Sequence, residues 1–210
     1  MEVYTGSIAR RYDGLSRRGC CLSCGGALSF AGVTRGDFCI DLGCGKGRDV
    51  IRMATLAGES GYACGVDISS GMIEIAREQA LKLGIENIGF IKSCLERIAL
   101  VDNCADLIIS NCTINHSLNQ GRVWKEISRL LKPGGRFVVS DIYAIENVPD
   151  KYRLDPEMIA ECWAGAVRRE VYLHNIADAG LESVEILEES LPYEKGKIKV
   201  ASFTVKGFSK

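Results

Sequence analysis

The sequence predicts an α/β fold, a single domain built on a mostly parallel sheet, and three observations carry that expectation. Short apolar runs that close on turn residues alternate with stretches of helical spacing. The first run meets a glycine-rich loop that opens a helix. An acidic residue closes the next run about 20 residues further on, the spacing of a nucleoside-binding strand pair. The length agrees: 210 residues with 47% apolar character bury one core and fall short of two ordinary ones.

Taken in order, "DFCIDLGCGKGRDVIRMATLAG" reads as strand, loop and helix, because a short β-rich run passes through glycines into an amphipathic repeat. "GYACGVDIS" is a second strand before the helix "SGMIEIAREQALKLG", "IGFIKS" a third strand and "ADLIISN" a fourth. "QGRVWKEISRLLKPGG" has helical spacing from Val123 through Leu131, stopped by Pro133 and Gly134, and "RFVVSDIY" follows as a fifth strand. The rhythm then breaks, and residues 144–167 read as an inserted lid or helix. The helix "REVYLHNIADAG" and the strands "SVEILEES" and "KVASFTVKG" complete the chain. Residues 1–35 are an arm carrying cysteines, with little apolar surface to bury, and residues 36–210 are the domain.

A formal net charge of -1, with both signs interspersed, offers no cationic surface for phosphate backbones or anionic lipids, so neither nucleic acid nor membrane is an expected partner. The start, "MEVYTGSIARRYDG", has no apolar core behind its charges, and no stretch approaches the roughly 20 apolar residues of a membrane span. A cytoplasmic protein is expected. Ten cysteines, most inside apolar runs, are then read as reduced thiols.

The loop Asp41 to Gly47, "DLGCGKG", has G-x-G-x-G spacing. Glycines at 43, 45 and 47 permit a sharp turn and a close backbone approach to a ligand. Asp67, in "GVDIS", can accept both hydroxyls of a ribose, and the two features together fit an adenosyl cofactor. With "ADLIISN" and "LLKPGGRFVVSD" following in succession, the chain resembles the class I S-adenosylmethionine-dependent methyltransferases. That resemblance implies a Rossmann-like, seven-stranded sheet whose last strand is antiparallel, and S-adenosylmethionine as cofactor. It also implies that Asp41, Gly43, Gly45 and Gly47 line the methionine end and that Asp67, Ile68 and Met72 hold ribose and adenine. Cys94, Leu95 and Glu96 would flank the adenine edge, with Asn111 beside the sulfonium.

More narrowly, "DLGCGKGRDV", "IISNCTINHS", "LKPGGRFVVSDIY" and "ECWAGAV" are similar to segments of the arsenite methyltransferases, whose N-terminal arm also carries adjacent cysteines. The implied acceptor is trivalent arsenic, a soft centre that thiolates bind in a pyramid and whose lone pair attacks the methyl carbon in line, so no general base is needed. The resemblance points to Cys162 as a metalloid ligand, with partners from Cys20, Cys21 and Cys24 in "GCCLSC". In that family a further cysteine stands before the final strand, where this chain apparently has Lys197. An arm cysteine or an external thiol such as glutathione would complete the coordination.

Plainer readings stand beside these. Cys39, Cys64 and Cys104 are small buried hydrophobes, Cys44 fills space in the loop, and Cys94 and Cys112 end strands at the ligand-facing edge of the sheet. Cys162 is read as lying on a mixed helix, and "GCCLSC" as a zinc site is the rival of its metalloid role. His116 is a loop residue near the ligand rather than a base, His174 is structural, and Asp141 and Tyr143 are candidates to line the site. Two other functions remain open: methylation of a small thiol or other organic acceptor, and non-catalytic metal or metalloid binding.

Overall fold

The computed structural model describes residues 2–16 and 25–210. In chain order the elements are α1 (Glu2–Ser16), α2 (Ala27–Ala31), β1 (Phe38–Leu42), α3 (Arg48–Ala57), β2 (Tyr62–Asp67), α4 (Ser70–Lys82), β3 (Ile88–Lys92) and β4 (Ala105–Asn111). Next come α5 (Gln120–Leu130), β5 (Leu131–Ala144), α6 (Asp150–Arg153), α7 (Pro156–Ile159), α8 (Arg169–Asp178), β6 (Leu181–Glu189), β7 (Tyr193–Lys195) and β8 (Ile198–Ser209). The strands lie in the order β3-β2-β1-β4-β5-β8-β6, and β7 pairs with β8 outside that path. Strands β1 to β5 pair in parallel, whereas β8 runs antiparallel to both β5 and β6.

The seven strands of the main path are those implied by the sequence, and β7 is an addition of three residues made by folding back through a Gly196 turn with φ +63°. Strand β5 also differs. Its pairing jumps from Leu131 opposite Ala105 to Arg136 opposite Leu107, so the Lys-Pro-Gly-Gly stretch loops out of the ladder. Proline has no N–H to give the sheet, and Gly134 takes φ +73°, which favours a bulge there.

Apolar residues cover both faces of the sheet. On one, Ala27, Leu28 and Ala31 of α2 and Val50 and Met53 of α3 pack on Leu107, Ile109 and Val138. On the other, Trp124, Ile127 and Tyr172 from α5 and α8 pack on Phe137, Val139 and Phe203, with Trp124 edge-on to Phe137 and Tyr172. A third cluster closes the end of the sheet, where Ile8 of α1 meets Ile159, Cys162 and Trp163 of the inserted segment and Ile142 and Val200.

The expectation that the first 35 residues bury little apolar surface is corrected by these contacts. Ile8, Ala27, Leu28 and Ala31 are all buried, and α2 is tied down at its C-terminal end. There the Arg136 guanidinium donates to the carbonyls of Ala31 and Gly32 at 2.8 and 2.7 Å and pairs with Asp37 at 2.6 Å. The physical reason is local: "ALSFA" is short but apolar on the side that meets the sheet. Strand order reverses between β1 and β4, the switch point at which a sheet of this kind leaves a crevice beyond its carboxyl ends.

Candidate functional site

A cavity of about 830 Å³ occupies that crevice. Its floor is the Asp41–Gly47 loop, its sides are the ends of β2 and β4 and the Ser93–Glu96 segment, and α1 and the Ala160–Cys162 stretch close over it.

The three loop glycines are needed for different reasons. A Cβ on Gly43 would fall 2.2 Å from Thr113 Oγ1, and one on Gly47 would fall 2.7 Å from the Ala76 Cβ, so both are forced by packing within the protein. Gly45, at φ +51°, has nothing within 4 Å of such a Cβ, and it is the glycine that leaves room for a ligand. Its N–H donates to Asp67 Oδ2 at 2.8 Å, while Asp67 Oδ1 accepts from Ser69 N at 2.8 Å. Burial pushes the Asp67 carboxyl up, and the backbone N–H groups of Ser69 and Gly45 oppose that shift. Asp41 is pushed up further by burial and then by the nearby Asp49 and Asp67. Asp49 and Asp67 both oppose charge on Asp41 beside the open glycine, a repulsion that a cationic ligand would relieve.

Of the residues expected to hold the cofactor, Asp41, Gly43, Gly45, Asp67, Ile68, Met72, Cys94, Leu95, Glu96 and Asn111 line this cavity, and Gly47 sits behind it. Glu96 accepts a hydrogen bond from Ser117 Oγ at 2.6 Å. Asn111 bridges two segments: its Oδ1 accepts from Ala27 N at 3.1 Å and its Nδ2 donates to Asp49 at 3.2 Å. Gly25 packs so closely on Asn111 that a Cβ would come within 2.4 Å of Oδ1, and Gly25 also lines the cavity. Cys20, Cys21 and Cys24 lie outside the described residues.

The thiols sort by surroundings. Cys39 and Cys64 are buried away from the cavity, with burial pushing them up to about 12 and about 11. Cys104 is half-buried at a strand start. Cys44 does reach the cavity, but burial and the adjacent Asp41 and Asp67 drive its thiol well above the usual range, so it stays protonated. Cys112 and Cys162 are the pair that sequence reasoning did not put together. Both line the cavity, and the Cys162 thiol donates to the Cys112 carbonyl at 3.4 Å.

Cys162 is not on a helix, contrary to expectation. It sits at φ +75° between α7 and a 3-10 turn at Trp163–Gly165, and Cys112 is likewise left-handed at φ +52°. Such backbone costs a non-glycine residue about 1–3 kcal/mol. Glycine would relieve that strain, and keeping a thiol there is the signal that marks both residues. No three His, Cys, Asp or Glu residues converge into a metal-holding group among the described residues.

Two further expectations are corrected. Asp141 does not line the cavity: it is buried beneath it, accepting from Asn115 Nδ2 at 2.7 Å and Ile142 N at 2.8 Å, with burial pushing it up to about 7. Tyr143 points away and donates to Glu189 at 2.7 Å. Lys197 is exposed in the turn after β7, and its neighbour Lys195 is the residue that lines the cavity, because Gly196 is pressed onto the Trp163 ring. His174 forms an exposed pair with Asp178 at 3.2 Å.

The roof contributes residues that no motif announced. Tyr12, Arg11, Thr5 and Ile8 of α1 line the cavity, Arg11 pairs with Glu161 at 3.3 Å, and Asp13 accepts from Ser69 Oγ at 2.6 Å and Gly71 N at 2.9 Å. His116 is buried, with Nδ1 3.0 Å from the Ile159 carbonyl and Nε2 2.9 Å from the Tyr12 hydroxyl. Burial lowers its pKa to about 4 from the usual 6.5. Since the unfolded chain takes up the proton first, this histidine's contribution is present above pH 6.5 and is lost as pH falls from there through about 4. The protection of the α1 amides, taken relative to the intrinsic exchange rate at each pH, should therefore fall on acidification, by roughly 3 kcal/mol in wild type, and much less in His116→Gln. Equal acid sensitivity in both proteins would show that the His116 contacts do not hold α1.

No helix of the described residues is long and apolar enough to cross a membrane. Comparison with known proteins gives a consistent result. A family model described as a methyltransferase domain matches residues 34–198. The arsenite methyltransferase of Halobacterium salinarum is 34% identical over 165 residues, 79% of this chain and 42% of that protein. That of Aquipseudomonas alcaligenes is 35% identical over 157 residues, 71% of this chain and 45% of that protein. The chain thus spans less than half the length of these curated relatives. The crystal structure of CrArsM, an arsenic (III) S-adenosylmethionine methyltransferase from Chlamydomonas reinhardtii, superposes with a TM-score of 0.75 at 30% identity, over 99% of this chain and 73% of that one. Geranyl diphosphate C-methyltransferase from Streptomyces coelicolor A3(2), at 15% identity and a TM-score of 0.76, shares the fold alone.

Proposed function

We propose, because this chain belongs to the methyltransferase-domain family, that it transfers the methyl group of S-adenosylmethionine to trivalent arsenic held by cysteine thiolates. One observation carries this reading: a single cavity joins an acidic, glycine-floored wall to a pair of cysteines.

The residues present fit the cofactor. Asp67 retains lone pairs for ribose hydroxyls beyond the two backbone N–H groups that hold it. Asp41, Asp49 and Asp67 line the cavity together, and a molecule carrying a sulfonium and an ammonium would offset the burial and mutual repulsion that oppose charge on Asp41. Gly45 leaves the space beside them open. When bound, the cofactor supplies an electrophilic methyl group.

Cys112 and Cys162 supply two soft ligands on the wall opposite. The third place in the arsenic pyramid falls to Cys20, Cys21 or Cys24, or to an external thiol such as glutathione. The position of Gly25 beside Asn111 supports the arm, since Gly25 follows Cys24 directly and lines the cavity. Cys112 also removes the need for a cysteine at position 197. The nucleophile bears no proton, so the transfer needs no general base, and His116 has both nitrogens engaged and stays neutral. The roof of α1 and the inserted segment excludes water from the transfer.

Alkylation mapping tests the arrangement. In the full chain with S-adenosylhomocysteine present, arsenite should slow iodoacetamide labelling of Cys112 and Cys162 by about tenfold or more, and should leave Cys94 unchanged. Labelling of all three that is indifferent to arsenite would reject the thiolate pair.

A further inference from the structure

We infer that Tyr12 contacts the reacting group: its phenolic oxygen is held as an acceptor toward the electron-poor methyl group on its way from cofactor to acceptor. The inference rests on the methyl-transfer reading above and adds a residue of α1 to it.

The argument begins at His116. The atom facing its Nδ1 is a backbone carbonyl oxygen, which has lone pairs and no proton, so Nδ1 must carry the hydrogen of that 3.0 Å contact. Burial keeps the ring uncharged. Nε2 is therefore a bare lone pair, and in the 2.9 Å contact with Tyr12 it is the phenol that donates. The hydroxyl proton is committed, and the oxygen has only lone pairs for any other partner.

The side chain is also fixed in place. Its ring stands edge-on to His116, with centroids 5.4 Å apart and planes at 81°. The helix around it is pinned on one side by Asp13 to the start of α4 and on the other by Arg11 to Glu161. Tyr12 lines the cavity together with Asp67 and with Cys112 and Cys162. The wall proposed for the ribose and the wall proposed for the acceptor thus belong to the same cavity as the Tyr12 side chain. A fixed acceptor in that cavity suits one kind of donor: the polarised C–H bonds of a methyl group on a cationic sulfur. Held through the transfer, such a contact lowers the barrier in proportion to how much it tightens at the transition state.

The test uses the full chain loaded with S-adenosylmethionine labelled with carbon-13 in the methyl group. The bound methyl protons should resonate downfield in wild type relative to Tyr12→Phe, which keeps the ring contact with His116 and removes only the oxygen. His116→Leu, in which the Tyr12 proton is released to turn toward the cavity, should lose the same downfield shift with Tyr12 intact. Calorimetric affinity for the cofactor should change by less than about threefold in Tyr12→Phe, while single-turnover methyl transfer slows roughly five- to tenfold. Identical methyl shifts in wild type and Tyr12→Phe would overturn the role of Tyr12 and leave the methyltransferase reading standing. A wild-type protein that binds no S-adenosylmethionine would overturn that reading, and this inference with it.

Discussion

Asp67→Ala should bind S-adenosylmethionine more weakly by about 2–4 kcal/mol, a loss of roughly 30- to 1,000-fold in affinity, because hydrogen bonds to a charged group contribute about 1.5–3 kcal/mol each and do not add fully. The geometry sharpens the expectation. Gly45 N and Ser69 N, both 2.8 Å from the carboxylate, aim it from below and beside, so the variant loses a preset acceptor and leaves two N–H groups without partners. Asp67→Asn keeps an oxygen for one of these contacts and should fall between wild type and alanine. Calorimetry measures all three. Equal affinity in Asp67→Ala and wild type, at unchanged melting temperature, would remove Asp67 from the cofactor site.

Cys162→Ser and Cys112→Ser should each lower methyl transfer to arsenite by more than about 100-fold while leaving S-adenosylhomocysteine binding within about threefold. Serine conserves size and hydrogen bonding, so the Cys112 carbonyl keeps a donor, but a hydroxyl is a hard, protonated group that does not ligate soft arsenic. Glycine separates ligation from packing. Both residues occupy left-handed backbone, at φ +52° and +75°, where glycine is favoured, so Cys112→Gly should fold at least as stably as wild type and still fail in transfer. An active Cys112→Gly protein would show that the residue is only a structural turn. Cys39→Ser, away from the cavity, is the control that should keep transfer.

Much of the frame was legible because it obeys local rules. The seven strands of the main path, the loop glycines and Asp67 follow from periodicity and spacing, the antiparallel last strand follows from the family resemblance, and the sheet reversal between β1 and β4 brings Asp67 to the same cavity as Gly45. What escaped was decided by tertiary contact. Cys112 and Cys162 lie 50 residues apart, and each reaches the cavity from a left-handed backbone position that no helical or strand pattern encodes. The α1 roof was hidden because its tethers are single polar groups, Arg11, Tyr12 and Asp13, whose partners lie on three other segments. Asp141 looked like a site residue because it ends a strand run beside the motif, yet Asn115 and the Ile142 N–H draw it inward.

Arsenic speciation after a single turnover tests the central claim most directly. The full chain, mixed with arsenite, excess thiol and stoichiometric S-adenosylmethionine, should yield monomethylated arsenic and S-adenosylhomocysteine in equal amounts, the arsenic taken formally to pentavalent by the transfer and returned to trivalent by two thiols that leave as a disulfide, with none formed by Cys112→Ser/Cys162→Ser. Turnover of the cofactor that methylates the thiol and leaves arsenite untouched, equally in wild type and in the double variant, would contradict the account.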